Sequence, residues 1–184
     1  MSTSTKVILI ANPKGGSGKT TLADELAFEM EARGLTVSFA NLDNQGGTIH
    51  ETVEYPDSDI LIIDTPGRLM DKMKDWAKSA DIALVPLNPS VRDLPVTVEF
   101  VETIQSYAPT FIVMNRFNPR FVVSKELVRY VSDSGLPVVG KLVESTEFPK
   151  AAMNQKGVVH TSPHSTAAFS VRSLTDNVLK EVGK

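Results

Sequence analysis

The sequence predicts an α/β fold, a doubly wound, mainly parallel β-sheet with helices on both faces, in one domain spanning residues 1–184. Three observations predict it. Six short apolar runs alternate with helical patterns, the order that parallel strands need because each return crossover takes a helix. Several runs are continuously apolar rather than alternating, as strands buried on both faces are. The glycine-rich and acidic motifs fall at the ends of these runs, the carboxyl edge where such sheets bind ligands.

The expected strands are 7–11, 37–42, 60–64, 82–87, 111–115 and 138–139. The expected helices are 19–33, 69–79, 91–106, 124–134, 148–154 and 166–182. Gly34 stands where the first helix should stop. Leu69, Met73, Trp76 and Ala80 share helix spacing and read as core. Residues 44–59, with Gly46, Gly47 and Pro56, show no period and read as loop. Residues 157–165 are rich in turn and polar residues.

At 184 residues, 41 % hydrophobic and 22 % charged, the chain is large enough for one proper core. It has no cysteine, which excludes disulfides, thiolate zinc sites and cysteine-held iron–sulfur clusters. No apolar run approaches a membrane span, and no secretory leader is read before the first strand, so a cytoplasmic location is expected. The net charge of −3 is unevenly spread. Residues 1–110 carry −7, and residues 111–184 carry +4, which leaves room for a local basic patch.

Asn12-Pro13-Lys14-Gly15-Gly16-Ser17-Gly18-Lys19-Thr20-Thr21 follows the first apolar run and opens the first helical pattern. A strand, a glycine-rich loop and a helix start make a phosphate site. Small residues let several N–H groups converge on one anion, and the helix start adds unpaired donors and partial positive charge. The binding loop is Gly15, Gly16, Ser17, Gly18, Lys19, Thr20 and Thr21. Lys19 is expected at the β- and γ-phosphates, and the Thr20 hydroxyl at Mg²⁺. The common pattern G-x-x-x-x-G-K-[ST] has glycine where this chain has Pro13. It has a second lysine, Lys14, which is poorly placed to share the phosphates of Lys19 and better placed to reach a nucleotide held by a second subunit.

Four further segments carry polar residues at strand ends. The run Ser58 to Gly67 is an apolar strand closing on Asp64, then Thr65-Pro66-Gly67; a carboxylate there can hold the hydration shell of Mg²⁺. Asn41-Leu42-Asp43-Asn44-Gln45-Gly46 closes the second strand. In Val85 to Leu94, Ser90 and Asp93 can cap the next helix. Met114-Asn115-Arg116 closes the fifth strand, and the Asn115 amide offers both a donor and an acceptor to a base edge, or closes a turn. His160 and His164 are four apart, but Pro163 between them argues against one helical face.

The loop K-G-G-x-G-K-T-T resembles the deviant phosphate loop of the ParA/MinD ATPases. The likeness runs from that loop through Asn115 to the last helix and is nearest to the short, ParF-like plasmid-partition proteins. The resemblance implies a P-loop fold, ATP and Mg²⁺ as ligands, and slow ATP hydrolysis. It implies an ATP-dependent homodimer in which Lys14 reaches the partner's phosphates, with Lys14, Lys19 and Asp43 as the catalytic set. Asp43 matches the family's D-x-D-P-Q-G motif and would orient the attacking water; Asn41 and Asn44 depart from it. A side-chain carboxylate is a weak base at neutral pH, so positioning is the expected role. Thr20 and Asp64 would serve the metal, and Asn115 the adenine side. Expected partners are nonspecific DNA and a ParB-like or ParG-like centromere-binding protein, with nucleoid association and no membrane. The 43–60 connection is shorter than in relatives.

Two other classes compete. A MinD-like membrane switch would end in a basic amphipathic helix; here Leu174, Val178, Leu179 and Val182 form an apolar stripe without an aromatic anchor. A small-molecule kinase would need an arginine-rich lid, and none is read.

Overall fold

A computed structural model describes residues 4–43, 47–67 and 70–184. Asn44, Gln45, Gly46 and Leu69, used above, lie outside the described residues. Six strands form one parallel sheet: β1 (Lys6–Ile10), β2 (Val37–Asn41), β3 (Ile60–Asp64), β4 (Ile82–Leu87), β5 (Thr110–Phe117) and β6 (Val138–Val143). Their order is β2-β3-β1-β4-β5-β6, which places β1 centrally, between β3 and β4. The helices are α1 (Lys19–Ala32), α2 (Met70–Lys78), α3 (Leu94–Ile104), α4 (Val122–Asp133), α5 (Glu147–Met153), α6 (Val158–Thr161) and α7 (Thr166–Val182).

The continuous apolar runs have a direct cause. Ile8 and Ile10 pack with α1, α6 and α7 on one face of the sheet, while Leu9 and Ala11 pack with α2, α3 and α4 on the other. Side chains alternate faces along a strand, so a strand with two dry faces must be apolar at every position. Met73 and Trp76 join the second of these cores, as their spacing predicts.

The strands at 60–64 and 82–87 and the helix at 166–182 match expectation. Gly34 ends α1 region with a left-handed φ of 85°. β6 is longer than expected because Gly140 and Lys141 break its apolar run in sequence without breaking its pairing with β5. α6 is new: a four-residue helix is too short to show a period, and it is held by its Val158 N–H donating to buried Glu25 of α1 at 3.0 Å.

Residues 47–59 are more ordered than a plain loop. The chain doubles back along the outer strand β2, where Val53 pairs antiparallel with Phe39. Tyr55 N–H donates to Ser38 Oγ at 2.9 Å, and Asn41 N–H donates to Thr52 Oγ1 at 3.1 Å. At its far end the limb is gripped by α1. Asp24 accepts the Ile49 and His50 N–H groups at 2.9 and 3.0 Å.

His50 locks this grip. Its ring lies 4.2 Å from Phe28 and stacks at 5.1 Å on Phe39. Nδ1 is 2.8 Å from Asp24 Oδ1, and Nε2 is 3.4 Å from Glu31 Oε2. Burial alone would pull its pKa down, but the hydrogen bonds and charges of Asp24 and Glu31 outweigh this and raise it to about 9. The folded value lies above the unfolded 6.5, so this stabilisation is complete below pH 6.5 and is lost as pH rises through 9. The stability difference between the wild type and His50→Gln is expected to be on the order of 2 kcal/mol near neutrality and to shrink towards pH 9.5. Urea titrations across that range measure it; a difference that grows with pH would refute the assignment.

Candidate nucleotide site

The loop between β1 and α1 is shaped by three asparagines from three strand ends. Asn12 is buried; its Nδ2 donates to Pro86 O at 2.8 Å, and its Oδ1 accepts the Lys14 N–H at 2.8 Å. Asn88 Nδ2 donates to Gly16 O at 3.1 Å. Asn115 Nδ2 donates to Ser17 O at 2.8 Å and to Asn88 Oδ1 at 3.2 Å. Two successive loop carbonyls are thereby drawn toward β4 and β5, and across each trans peptide the following N–H, of Ser17 and of Gly18, points the opposite way. Gly16 and Gly18 have φ of 73° and 92°, a backbone that side-chain-bearing residues adopt at a cost. A Cβ on Gly18 would also collide with the Asn115 amide nitrogen.

The loop opens on a cavity of about 860 Å³ lined by Pro13 to Gly16, Gly18 to Thr21, Asp43, Pro66, Gly67 and Arg116. An adjoining cavity of about 500 Å³ shares Gly18, Thr20, Thr21 and Arg116, and adds Asn115, Leu142, Phe148 and Pro149. The first lobe is polar and loop-lined, as a polyphosphate needs. The second offers apolar walls beside polar groups, as a base and sugar need.

Asp64 is fully buried at the end of β3, beside β1. Its Oδ2 accepts from Thr20 Oγ1 at 2.9 Å, while Oδ1 is buried without a partner among the described residues. Burial raises its pKa to about 6; the Thr20 bond and the Lys19 charge pull the other way. A half-buried hydroxyl and an unmatched, buried carboxylate oxygen are hard oxygen donors, so these residues fit a hydrated divalent cation such as Mg²⁺. Lys19 is itself buried, which lowers its pKa against the opposing charges of Asp64 and Asp43. An atom added at Gly67 would stand 3.2 Å from Pro13 O and 3.8 Å from Lys19 Nζ, so the turn after β3 lies against the phosphate loop.

Of the residues expected from sequence, Gly15, Gly16, Gly18, Lys19, Thr20, Thr21, Lys14 and Asp43 line the larger lobe. Ser17 is buried beneath it, and Asn115 lines the smaller lobe while its amide nitrogen braces the loop. Lys14 Nζ lies 3.2 Å from Asp93 Oδ1 of the same chain. That contact corrects the expected helix cap. Asp93 makes no capping side-chain bond to α3, because its carboxylate faces the Lys14 ammonium instead, and Ser90 contributes its backbone carbonyl to the Leu94 N–H rather than its hydroxyl.

Sequence reasoning gave no separate role to Asn12 or Asn88, and took Arg116 only as the neighbour of Asn115 in the segment expected on the adenine side. Arg116 has a left-handed φ of 48° at an irregularity in the β5–β6 pairing and lines both lobes. The shared signal was available: Asn12 and Asn88 directly follow an apolar run, and Arg116 is the next-to-last residue of β5, all at the carboxyl edge.

The sequence matches the family described as CobQ/CobB/MinD/ParA nucleotide binding domain over residues 8–158. It is 24 % identical over 204 positions to the maintenance of carboxysome distribution protein A of Halothiobacillus neapolitanus, covering 93 % of this chain and 92 % of that protein. The fold is similar to that of the septum site-determining protein MinD of Pyrococcus horikoshii, complexed with Mg-ADP, with a TM-score of 0.78, 18 % identity and 98 % of each chain covered. It is also similar to a plasmid partition protein of Borrelia burgdorferi bound to AMPPNP, with a TM-score of 0.75, 16 % identity, and 97 % of this chain and all of that one covered.

Gly18→Ala is expected to weaken nucleotide binding at least about tenfold, since it forces both the strained φ and the Asn115 brace. Titration with a fluorescent ATP analogue reads this. Affinity equal to wild type would show that the loop's brace does not set its binding geometry.

Proposed function

The chain belongs to the CobQ/CobB/MinD/ParA nucleotide-binding family, and from that premise we propose that it is a positioning ATPase of the ParA kind. In this reading Mg–ATP binds the loop, two chains pair face to face across it, and the paired form holds nonspecific DNA. Hydrolysis stays slow until a ParB-like or ParG-like partner accelerates it. The cargo is a plasmid or chromosome segment.

The observation that carries the reading is a site with two lysines in different circumstances. Lys19 is buried beside Asp64 and Thr20, committed to the phosphates of its own chain. Lys14 has a side chain 45 % exposed and rests on Asp93 at the rim, from which it can swing to an anion brought by a second copy. Bound magnesium would neutralise charge at the β- and γ-phosphates beside Thr20 and Asp64. The chain's own groups do the rest. The loop amides and Lys19 hold the phosphates, Asp43 orients the attacking water, and Lys14 supplies charge across the pair. Asn115, Phe148 and Pro149 take the base side.

For DNA, exposed Arg120, Lys125 and Arg129 lie on α4 and its approach, in the basic part of the chain. Lys150 and Arg172 are engaged within the chain, with Glu147 at 2.9 Å and with Pro163 O at 2.6 Å. The membrane alternative loses its main support in α7. Leu174, Val178 and Val182 of its apolar stripe are buried in the core, and Leu179 packs against that core. Among the described residues no helix is long and apolar enough to cross a membrane.

Sedimentation with saturating Mg–ATP is expected to give a dimer for the wild type. Lys14→Ala should stay monomeric while its ATP affinity changes less than about threefold, whereas Lys19→Ala should lose ATP itself. Loss of ATP binding by Lys14→Ala would instead make it a ligand within its own chain. DNA retention should require ATP and fall by tens of fold between roughly 50 and 200 mM salt; retention indifferent to either would remove the DNA role.

A further inference from the structure

One side chain ties together the two stretches of backbone that flank Asp43. Asn41 is the last residue of β2 and stands opposite Asp64 in the sheet register. Its Oδ1 accepts the Asp43 backbone N–H at 3.0 Å, and its Nδ2 donates to Thr48 Oγ1 at 2.7 Å. The Asp43 contact can only be made by an acceptor, which fixes the orientation of the amide. Thr48 directly precedes Ile49 and His50, whose N–H groups Asp24 holds. On the other side, Leu42 N–H donates to Asp64 O at 2.9 Å. Asp43 therefore follows a residue pinned to the metal-side strand, Thr48 precedes residues pinned to α1, and the Asn41 carboxamide is the cross-strut between Asp43 and Thr48.

An asparagine that only closed a turn would need the first of these bonds. Asn41 uses both ends of its amide, and its backbone N–H also donates to Thr52 Oγ1 at 3.1 Å. We propose that Asn41 is a positioning residue for Asp43, its carboxamide setting where that carboxylate stands in the cavity lined by the phosphate loop. The inference rests on the ATP-hydrolysing reading of the site. Its chemistry explains an amide here. An aspartate could still accept the Asp43 N–H, and could accept from Thr48 once that hydroxyl turned its proton, but it would add a negative charge in register with Asp64. An alanine could do neither.

The test compares Asn41→Ala, Asn41→Asp and Thr48→Val with the wild type, after thermal melts establish that each is folded. In the nucleotide-free chain, hydrogen exchange at the Asp43 amide is expected to quicken about tenfold in Asn41→Ala and to regain most of its protection in Asn41→Asp. With Mg–ATP, Asn41→Ala should lower kcat about tenfold while KM and the affinity for a nonhydrolysable ATP analogue move less than about threefold. Asn41→Asp should recover most of the turnover. The losses from Asn41→Ala and Thr48→Val should not add, and Asn41→Ala should cost nothing further on top of Asp43→Ala. Unchanged exchange or turnover in Asn41→Ala, additive losses, or affinity lost in step with turnover would overturn the proposal while leaving the ATPase reading intact. A wild-type chain with no Mg-dependent ATP turnover would defeat that reading, and this role with it.

Discussion

Two carbonyls decide the site. The oxygens of Gly16 and Ser17 are held by Asn88 and Asn115, side chains that extend from the ends of β4 and β5. A peptide unit whose C=O is fixed outward presents its N–H the opposite way, so these bonds aim the loop. Each contributes only about 1 kcal/mol, yet their geometry is inherited from a parallel sheet whose register is fixed by dry packing on both faces. The strand ends supply the brace and the apolar layers supply its rigidity. Once the loop is aimed, Gly18 releases the chain into α1, whose first turn places Lys19 and Thr20 beside Asp64.

α1 has a second duty, visible in its buried acids. Asp24, Glu25 and Glu29 are all nearly inaccessible, an unusual load for one helix face. Each is compensated differently. Asp24 holds the limb that returns along β2, Glu25 holds the start of α6, and Glu29 pairs with Arg33 at 2.8 Å. Burial raises the Glu25 pKa to about 7, against the opposing bond from Val158. The helix that begins at the phosphate loop thus grips two neighbouring segments through buried carboxyl groups as well as through apolar contact. A shift of α1 on nucleotide binding would be felt in both, because charged groups out of water tolerate little displacement.

Much of this was legible in the sequence. The parallel α/β class, the position of the phosphate loop and the buried Asp64 all follow from patterns local to a strand and the turn after it. α6 was invisible because its fixing contact, Glu25 to Val158, joins residues far apart in sequence. The order of residues 47–59 was hidden for the same reason. Nothing in a Gly-, Pro- and acid-containing stretch announces that a histidine fits between two phenylalanines and two carboxylates. Asp93 misled in a more instructive way. An acid ahead of a helix is a good cap, but a nearby ammonium is a stronger attraction for a carboxylate than a neutral N–H. Asn115 was singled out, and its bond to the loop carbonyl is a second use of the same amide that no local pattern could reveal.

The limb folded over β2 bears on how copies of this protein can stack. An outer strand normally offers a bare ladder of peptide groups, an invitation to sheet extension from one molecule to the next. Here Val53 satisfies Phe39 on both its N–H and its C=O, the Thr52 hydroxyl accepts the Asn41 N–H, and the Ser38 hydroxyl holds the covering limb through the Tyr55 N–H. Growth by adding strands at this border is closed off, so copies that associate along the β2 side of the sheet must do so through side-chain surfaces, whose association can be made to depend on the nucleotide in a way that a continuous sheet could not.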